Sequence, residues 1–152
     1  MLVWRICKAR FAELALSGEG ARLFAGRWNQ QGVPLVYTSN SLALAAIELF
    51  VHLDPSDAPD DLVSIRIEVP EELKMDRVEV KDLPKDWRRM DSDQLREIGS
   101  AWAISRRSAA LEVPSAAVEG EWNILLNPAH SDFNKIKVIK ENPFHYDERM
   151  FR

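Results

Sequence analysis

Between Leu42 and His52 nearly every position is apolar or small, and the run is preceded by Ser39-Asn40-Ser41. The triplet supplies candidate N-caps, so the spacing predicts a helix over about Leu42 to His52. Leu42, Ala43, Leu44, Ala45, Ala46, Ile47, Leu49, Phe50 and Val51 leave that helix no polar face, and a helix apolar all round is expected to be buried. Glu48 then stands where a carboxylate is costly. Two readings follow. Either His52, one turn on, pairs with Glu48, or Glu48 faces a cleft and is kept ionisable for chemistry.

Upstream, Val3 to Lys8 alternates and reads as a first strand. Arg5 shares a side with Val3 and Cys7, so it either reaches solvent from a strand end or lines a cleft. Phe11 to Leu16 is read as a short helix ending at the turn Ser17-Gly18-Glu19-Gly20. The chain then enters Gly26-Arg27-Trp28-Asn29, a Gly32-Val33-Pro34 turn and the strand Leu35-Val36-Tyr37-Thr38-Ser39. A guanidinium beside a glycine can approach an anion closely, and the aromatic rings can stack or pack. Trp28 is expected to pack, as most tryptophans are largely buried.

Downstream, prolines and aspartates from Asp54 to Asp61 make a loop, and Leu62 to Val69 alternates as a half-buried antiparallel strand stopped by Pro70. A short strand is expected around Val78 to Val80, then a turn at Leu83-Pro84-Lys85-Asp86-Trp87. Ser92 or Asp93 caps a helix whose Leu95, Ile98 and Trp102 form a core face. Strands are expected at Ala110 to Val113, Trp122 to Leu126 and Ile136 to Ile139. Ser115, after a proline, is by default a turn hydroxyl. Short strands and a few helices without a βαβ rhythm predict an α+β fold with a mostly antiparallel sheet.

The size of the chain, 152 residues, suits one domain spanning 1–152. Its formal charge of -4 argues against a broad basic face for nucleic acid. The longest apolar run is too short to span a bilayer, and the N-terminus lacks a signal-peptide layout, so the expectation is a cytoplasmic protein that binds neither membrane nor nucleic acid directly. Cys7 is the single cysteine and there are three histidines, a set with no zinc-ligand cluster, so no metal is expected.

Four segments in series resemble the RES domain family: Gly26-Arg27-Trp28-Asn29 with Val36-Tyr37-Thr38-Ser39, Ala45-Ala46-Ile47-Glu48 with His52, Val113-Pro114-Ser115-Ala116, and Asn123-Ile124-Leu125-Leu126-Asn127-Pro128. The likeness runs from Trp4-Arg5-Ile6 to Phe144 and Arg149, nearly the whole chain. It implies an ADP-ribosyltransferase-like fold, a split antiparallel sandwich with flanking helices, and the role of toxin in a type II toxin-antitoxin pair. It further implies degradation of NAD at the nicotinamide-ribose bond and an Xre-like helix-turn-helix antitoxin that covers the active site. NAD enters as substrate, with no separate cofactor. By the same resemblance Arg27, Glu48 and Ser115 are the catalytic set, with Tyr37, Arg5 and Asn123 binding substrate. Where the family usually has two glycines before the arginine, this chain has Ala25 and Gly26.

In that chemistry the leaving nicotinamide is already cationic, so no general acid is required, unlike ordinary glycoside hydrolysis. One carboxylate suffices, and Glu48 is the candidate that stabilises the developing ribose cation. Arg27, with Arg5, would neutralise the pyrophosphate. Tyr37 would stack near the nicotinamide, and Ser115 would bond substrate or orient Glu48. The acceptor is left open between water, inorganic phosphate and a protein side chain. Degradation of NAD is preferred, with protein ADP-ribosylation as the alternative, and a non-catalytic antitoxin-binding module as the reading from another class.

Overall fold

The computed structural model describes residues 1–89 and 91–152. The first strand, β1 (Leu2–Lys8), is followed by a 3-10 stretch at Ala9–Leu14 where the sequence predicts a helix over Phe11 to Leu16, and by a five-residue helix α1 (Glu19–Leu23) that begins within the expected turn and runs past it. After a long loop come β2 (Val36–Ser39), α2 (Leu42–Phe50), β3 (Leu62–Glu68) and β4 (Met75–Arg77). The chain closes with α3 (Asp93–Ser105), β5 (Ala110–Pro114), β6 (Trp122–Leu126) and β7 (Lys137–Phe144).

Both major helices start on the serines expected of them. Ser41 Oγ accepts from Leu44 N at 3.1 Å, and Ser92 Oγ accepts from Leu95 N at 3.4 Å. The strand expected at Val78 to Val80 lies three residues earlier. Met75-Asp76-Arg77 pairs in parallel with Ala110-Leu111-Glu112, a short edge pairing that leaves no apolar alternation to read. β7 runs to Phe144, well past Ile139, because an exposed edge strand tolerates Lys137, Lys140 and even Pro143.

The strand order is β4-β5-β6-β2-β1-β3-β7, antiparallel throughout except for β4 and β5. This is an α+β fold on one mixed seven-stranded sheet. Its continuity is uneven. β1 and β3 pair along seven positions, from Leu2↔Glu68 to Lys8↔Leu62, whereas β1 and β2 meet at the one pair Trp4↔Ser39. That junction divides the sheet into two halves. Val3, Val63, Ile65 and Ile67 from one half share a buried cluster with Val36, Ala110, Ile124 and Leu126 from the other, so the halves bury a common interior.

The outer face of the β5-β6-β2 half is covered by α3. Leu95, Trp102 and Ala103 pack with Leu111, Val113 and Leu125, and Trp28 joins them at 2% exposure, in the packing role expected of it. The other half carries α2 over a small cluster of Ile6, Ala45 and Leu62, completed by Trp4, Leu49, Phe144 and Tyr146. This corrects the expectation of a fully buried helix. In α2 only Leu44 and Ala45 are buried. Its outward side is dressed by tail aromatics, with Phe50 packed against Tyr146 and Phe151, and its remaining side lines a cleft.

Candidate active site

A cleft of about 660 Å³ opens where the two half-sheets meet. β1 contributes Trp4 and Arg5, β2 contributes Tyr37 and Ser39, β6 contributes Asn123, and α2 contributes Glu48. The thin β1/β2 junction brings these elements to one opening.

Glu48 is half-buried and held by one of its oxygens. Its Oε1 accepts from Ser115 Oγ at 2.6 Å and from Asn123 Nδ2 at 2.6 Å. These bonds replace the contact with His52, which stays exposed on the cleft wall. Both supports are themselves fixed. Ser115 Oγ accepts from the backbone N–H groups of Ala117 and Val118 at 3.2 and 3.0 Å, while Asn123 Oδ1 accepts from Ser39 Oγ at 2.7 Å, which aims the amide N–H at the carboxylate. Oε2 is left without a protein donor among the described residues, the arrangement needed for a carboxylate that meets a ligand with one oxygen and the protein with the other. Ser115 is 1% exposed and lies behind Glu48, so it touches the carboxylate and not the cleft.

The Gly26 to Asn29 loop is built around a buried asparagine. Asn29, 0% exposed, donates from Nδ2 to Ala21 O at 2.7 Å and Gln30 O at 3.2 Å, and its Oδ1 accepts from Gly26 N at 3.0 Å and Tyr37 Oη at 2.6 Å. Tyr37 Oη also accepts from Trp28 N at 3.1 Å. The Tyr37 hydroxyl is therefore spent on the loop, and burial pushes its pKa up to about 12. Its ring is what the cleft sees. A methyl on Gly26 would stand 2.7 Å from that hydroxyl and 2.8 Å from Asn29 Oδ1, which explains a glycine there. Ala25 is exposed and has no positive φ, so its methyl is accommodated without strain.

Arg27 lines the cleft and donates from Nη1 to the carbonyls of Trp87 at 3.2 Å and Arg89 at 2.9 Å. Those bonds fix the guanidinium and, among the described residues, leave Nε and Nη2 uncommitted. Arg5 donates from Nη1 to Tyr37 O at 3.1 Å, its Nε is buried without a partner among the described residues, and burial lowers its pKa from the ordinary value while Cys7 acts in the opposite sense.

The RES domain family matches residues 2–147 of the chain. The chain belongs to the RES family. Among similar RES proteins, the "Toxin Res" of Photorhabdus laumondii subsp. laumondii is 37% identical over 154 residues, covering 100% of this chain and 98% of that protein. The "Prs ADP-ribosylating toxin" of Sphingobium sp. is 43% identical over 155 residues, covering 98% and 96%. In fold, the RES chain resembles a solved chain of the M. tuberculosis MbcT-MbcA toxin-antitoxin complex, with TM-score 0.75 and 17% identity over 95% of this chain and 84% of that one.

Of the six residues singled out from the RES pattern, five line the cleft, and Ser115 adjoins it through Glu48. Three groups escape a sequence reading. Ser39 reads as a helix cap yet orients Asn123, Asn29 reads as one loop polar residue among several, and Arg96, on the first turns of α3, reads as an exposed helix charge although it lines the cleft. Only Asn29 leaves a signal, its place directly after Arg27 and Trp28 in the first of the four RES-like segments.

Proposed function

We propose that this RES protein is the toxin of a toxin-antitoxin pair and that it destroys NAD by cleaving the nicotinamide-ribose bond, passing ADP-ribose to water or inorganic phosphate. The observation that carries the reading is Glu48, a carboxylate anchored through Oε1 by Ser115 and Asn123 with Oε2 free at the cleft. Such a group is oriented before substrate arrives, and it can hold a ribose hydroxyl or offset the cationic ribose as the bond to nicotinamide breaks. No proton donor is needed, because nicotinamide departs with the bonding electron pair as a neutral base. Arg27, braced by two carbonyls, has two donor groups for a bidentate phosphate contact. The Tyr37 ring is a flat wall against which the nicotinamide can stack.

The toxin role is supported by relatives that are themselves named toxins, and the partner by the toxin-antitoxin complex of similar fold. By this reading an Xre-like helix-turn-helix antitoxin covers the cleft. A second reading, transfer of ADP-ribose to a protein, is favoured by the name of the Sphingobium relative, an ADP-ribosylating toxin. A merely antitoxin-binding module has no use for a half-buried carboxylate held by two donors at the cleft floor.

The test is to incubate purified protein with NAD and follow free nicotinamide and ADP-ribose species by NMR, with and without phosphate. Nicotinamide released in step with soluble ADP-ribose or its phosphorylated form supports degradation. Label that enters protein instead moves the assignment to the transferase, and NAD left intact by folded protein free of antitoxin overturns both. Within this scheme Ser115→Ala should lower kcat about ten-fold, the weight of one lost charge-assisted hydrogen bond, with KM for NAD little changed. A rise in KM at constant kcat would mean that Ser115 binds substrate and does not orient Glu48.

A further inference from the structure

Arg27 and Ser115 stand on loops far apart in the sequence, and one short segment, Trp87-Arg88-Arg89, bonds to both loops. Arg27 Nη1 donates to the carbonyls on either side of Arg88, Trp87 O at 3.2 Å and Arg89 O at 2.9 Å. The Arg88 side chain reaches the loop after β5 and donates from Nε and Nη2 to Ala116 O, at 3.3 and 3.0 Å. We propose that Arg88 is a positioning residue of the site, clamping the loop that carries Ser115 and so keeping Glu48 correctly spaced from Arg27. The role rests on the NAD reading, in which Arg27 takes the pyrophosphate and Glu48 the ribose.

Ala116 is the residue next to Ser115, and the N–H groups that bond Ser115 Oγ belong to the two residues that follow, Ala117 and Val118. Inside this loop Ser115 N–H donates to Glu121 O at 2.8 Å and Glu121 N–H to Val118 O at 3.2 Å, which leaves Ala116 O outside the loop's own backbone bonds. Among the described residues, Arg88 is the protein donor to that carbonyl. Ser115 Oγ in turn donates to Glu48 Oε1 at 2.6 Å. Drift of the loop therefore lengthens one of the two bonds that aim Oε2 into the cleft. The Arg88 pair with Glu119, at 3.6 Å, is exposed on both sides and contributes little.

The segment between the two loops is fixed at its base. Trp87 N–H donates to Pro84 O and Arg89 N–H to Asp86 O, each at 3.0 Å, and Trp87 is buried in one cluster with Leu83, Leu95 and Trp28, the neighbour of Arg27. It can thus transmit a spacing from one loop to the other. A substrate that meets Arg27 with its phosphates and Glu48 with its ribose reacts only when both are in place, and a misplacement of about 1 Å can cost about 10²-fold in rate.

Nicotinamide release and amide hydrogen exchange, measured on the full chain, test it. Arg88→Met, which keeps the apolar stem and loses the donors, should lower kcat about five-fold with KM for NAD within about two-fold. Arg88→Lys should recover most of that loss, and Glu119→Gln, which leaves the bonds to Ala116 O in place, should stay within about two-fold of the wild type. Because the effect passes through Ser115, adding Arg88→Met to Ser115→Ala should cost less than about two-fold more. The exchange arm needs no NAD: the Ala117 and Val118 amide protons should exchange about three-fold faster or more in Arg88→Met. Unchanged exchange there, wild-type kcat in Arg88→Met, or a full five-fold loss persisting in the Ser115→Ala background would each overturn the proposal, that last figure being the about five-fold expected above. Wild-type protein that leaves NAD intact, while Arg88→Met speeds the exchange, overturns the NAD reading and supports the clamp on the Ser115 loop.

Discussion

Glu48→Gln is expected to fold, to bind NAD within about three-fold of the wild-type affinity, and to release nicotinamide about 10²- to 10³-fold more slowly. The substitution preserves shape. A glutamine carbonyl can accept from both Ser115 Oγ and Asn123 Nδ2, as Oε1 does at 2.6 Å in each case, so the side chain keeps its orientation. The amide nitrogen then takes the place of Oε2, which replaces a negative acceptor with a neutral donor at the position that faces the forming ribose cation. The loss falls on a charge that matters mainly in the transition state, and so on kcat. Rates of nicotinamide release, set beside calorimetric affinity for NAD, check it. Turnover near the wild-type rate would remove Glu48 from the chemistry, and an equal drop in affinity and rate would make it a ground-state contact.

The second large effect is on stability. Gly99 lies in the middle of α3, and a Cβ there would stand 1.9 Å from Trp28 O and 2.8 Å from Trp28 C. In an exposed helix the change from glycine to alanine stabilises by about 1 kcal/mol. Here the clash is with backbone, which cannot rotate away, so α3 or the Arg27 loop must move by more than an ångström. Overpacking of this kind destabilises by about 1–3 kcal/mol, occasionally more. Gly99→Ala should therefore lower the melting temperature by roughly 3–10 °C. It should also weaken NAD binding, because Arg27 is the residue next to Trp28. The control is Gly20→Ala, where the added methyl meets nothing. Equal melting temperatures for the two variants would refute the close packing of α3 on this loop.

Much of the fold was legible because local chemistry and tertiary role coincide. Ser41 and Ser92 are good caps and do cap, and Trp122 to Leu126 is apolar because both faces of β6 are covered. Legibility fails where a residue answers to a distant partner. The apolar surface of α2 reads as burial, but half of it is met by a cleft and by Phe144, Tyr146 and Phe151, a hundred residues on. β4 and β7 are edges, and edges need no alternation. The candidate site follows the same rule. Glu48 announces itself as a carboxylate in an apolar run, but its partners Ser115 and Asn123 are ordinary turn and strand residues until the sheet brings them within 2.6 Å. Pairing with His52, one of the two readings of Glu48, is a local contact, and the bonds from Ser115 and Asn123 take its place.

The Trp4↔Ser39 pair has a consequence for how the molecule is held together. The cleft draws Trp4 and Arg5 from one side of that seam and Tyr37, Ser39 and Asn123 from the other, so an occupant touching both acts as a staple across the weakest line of the sheet. Ligation and folding become one linked equilibrium, worth about 2.7 kcal/mol when the occupant is present at a hundred times its Kd. Whatever plugs the cleft therefore also braces the fold, and an emptied cleft leaves a molecule that parts more readily between Trp4 and Ser39.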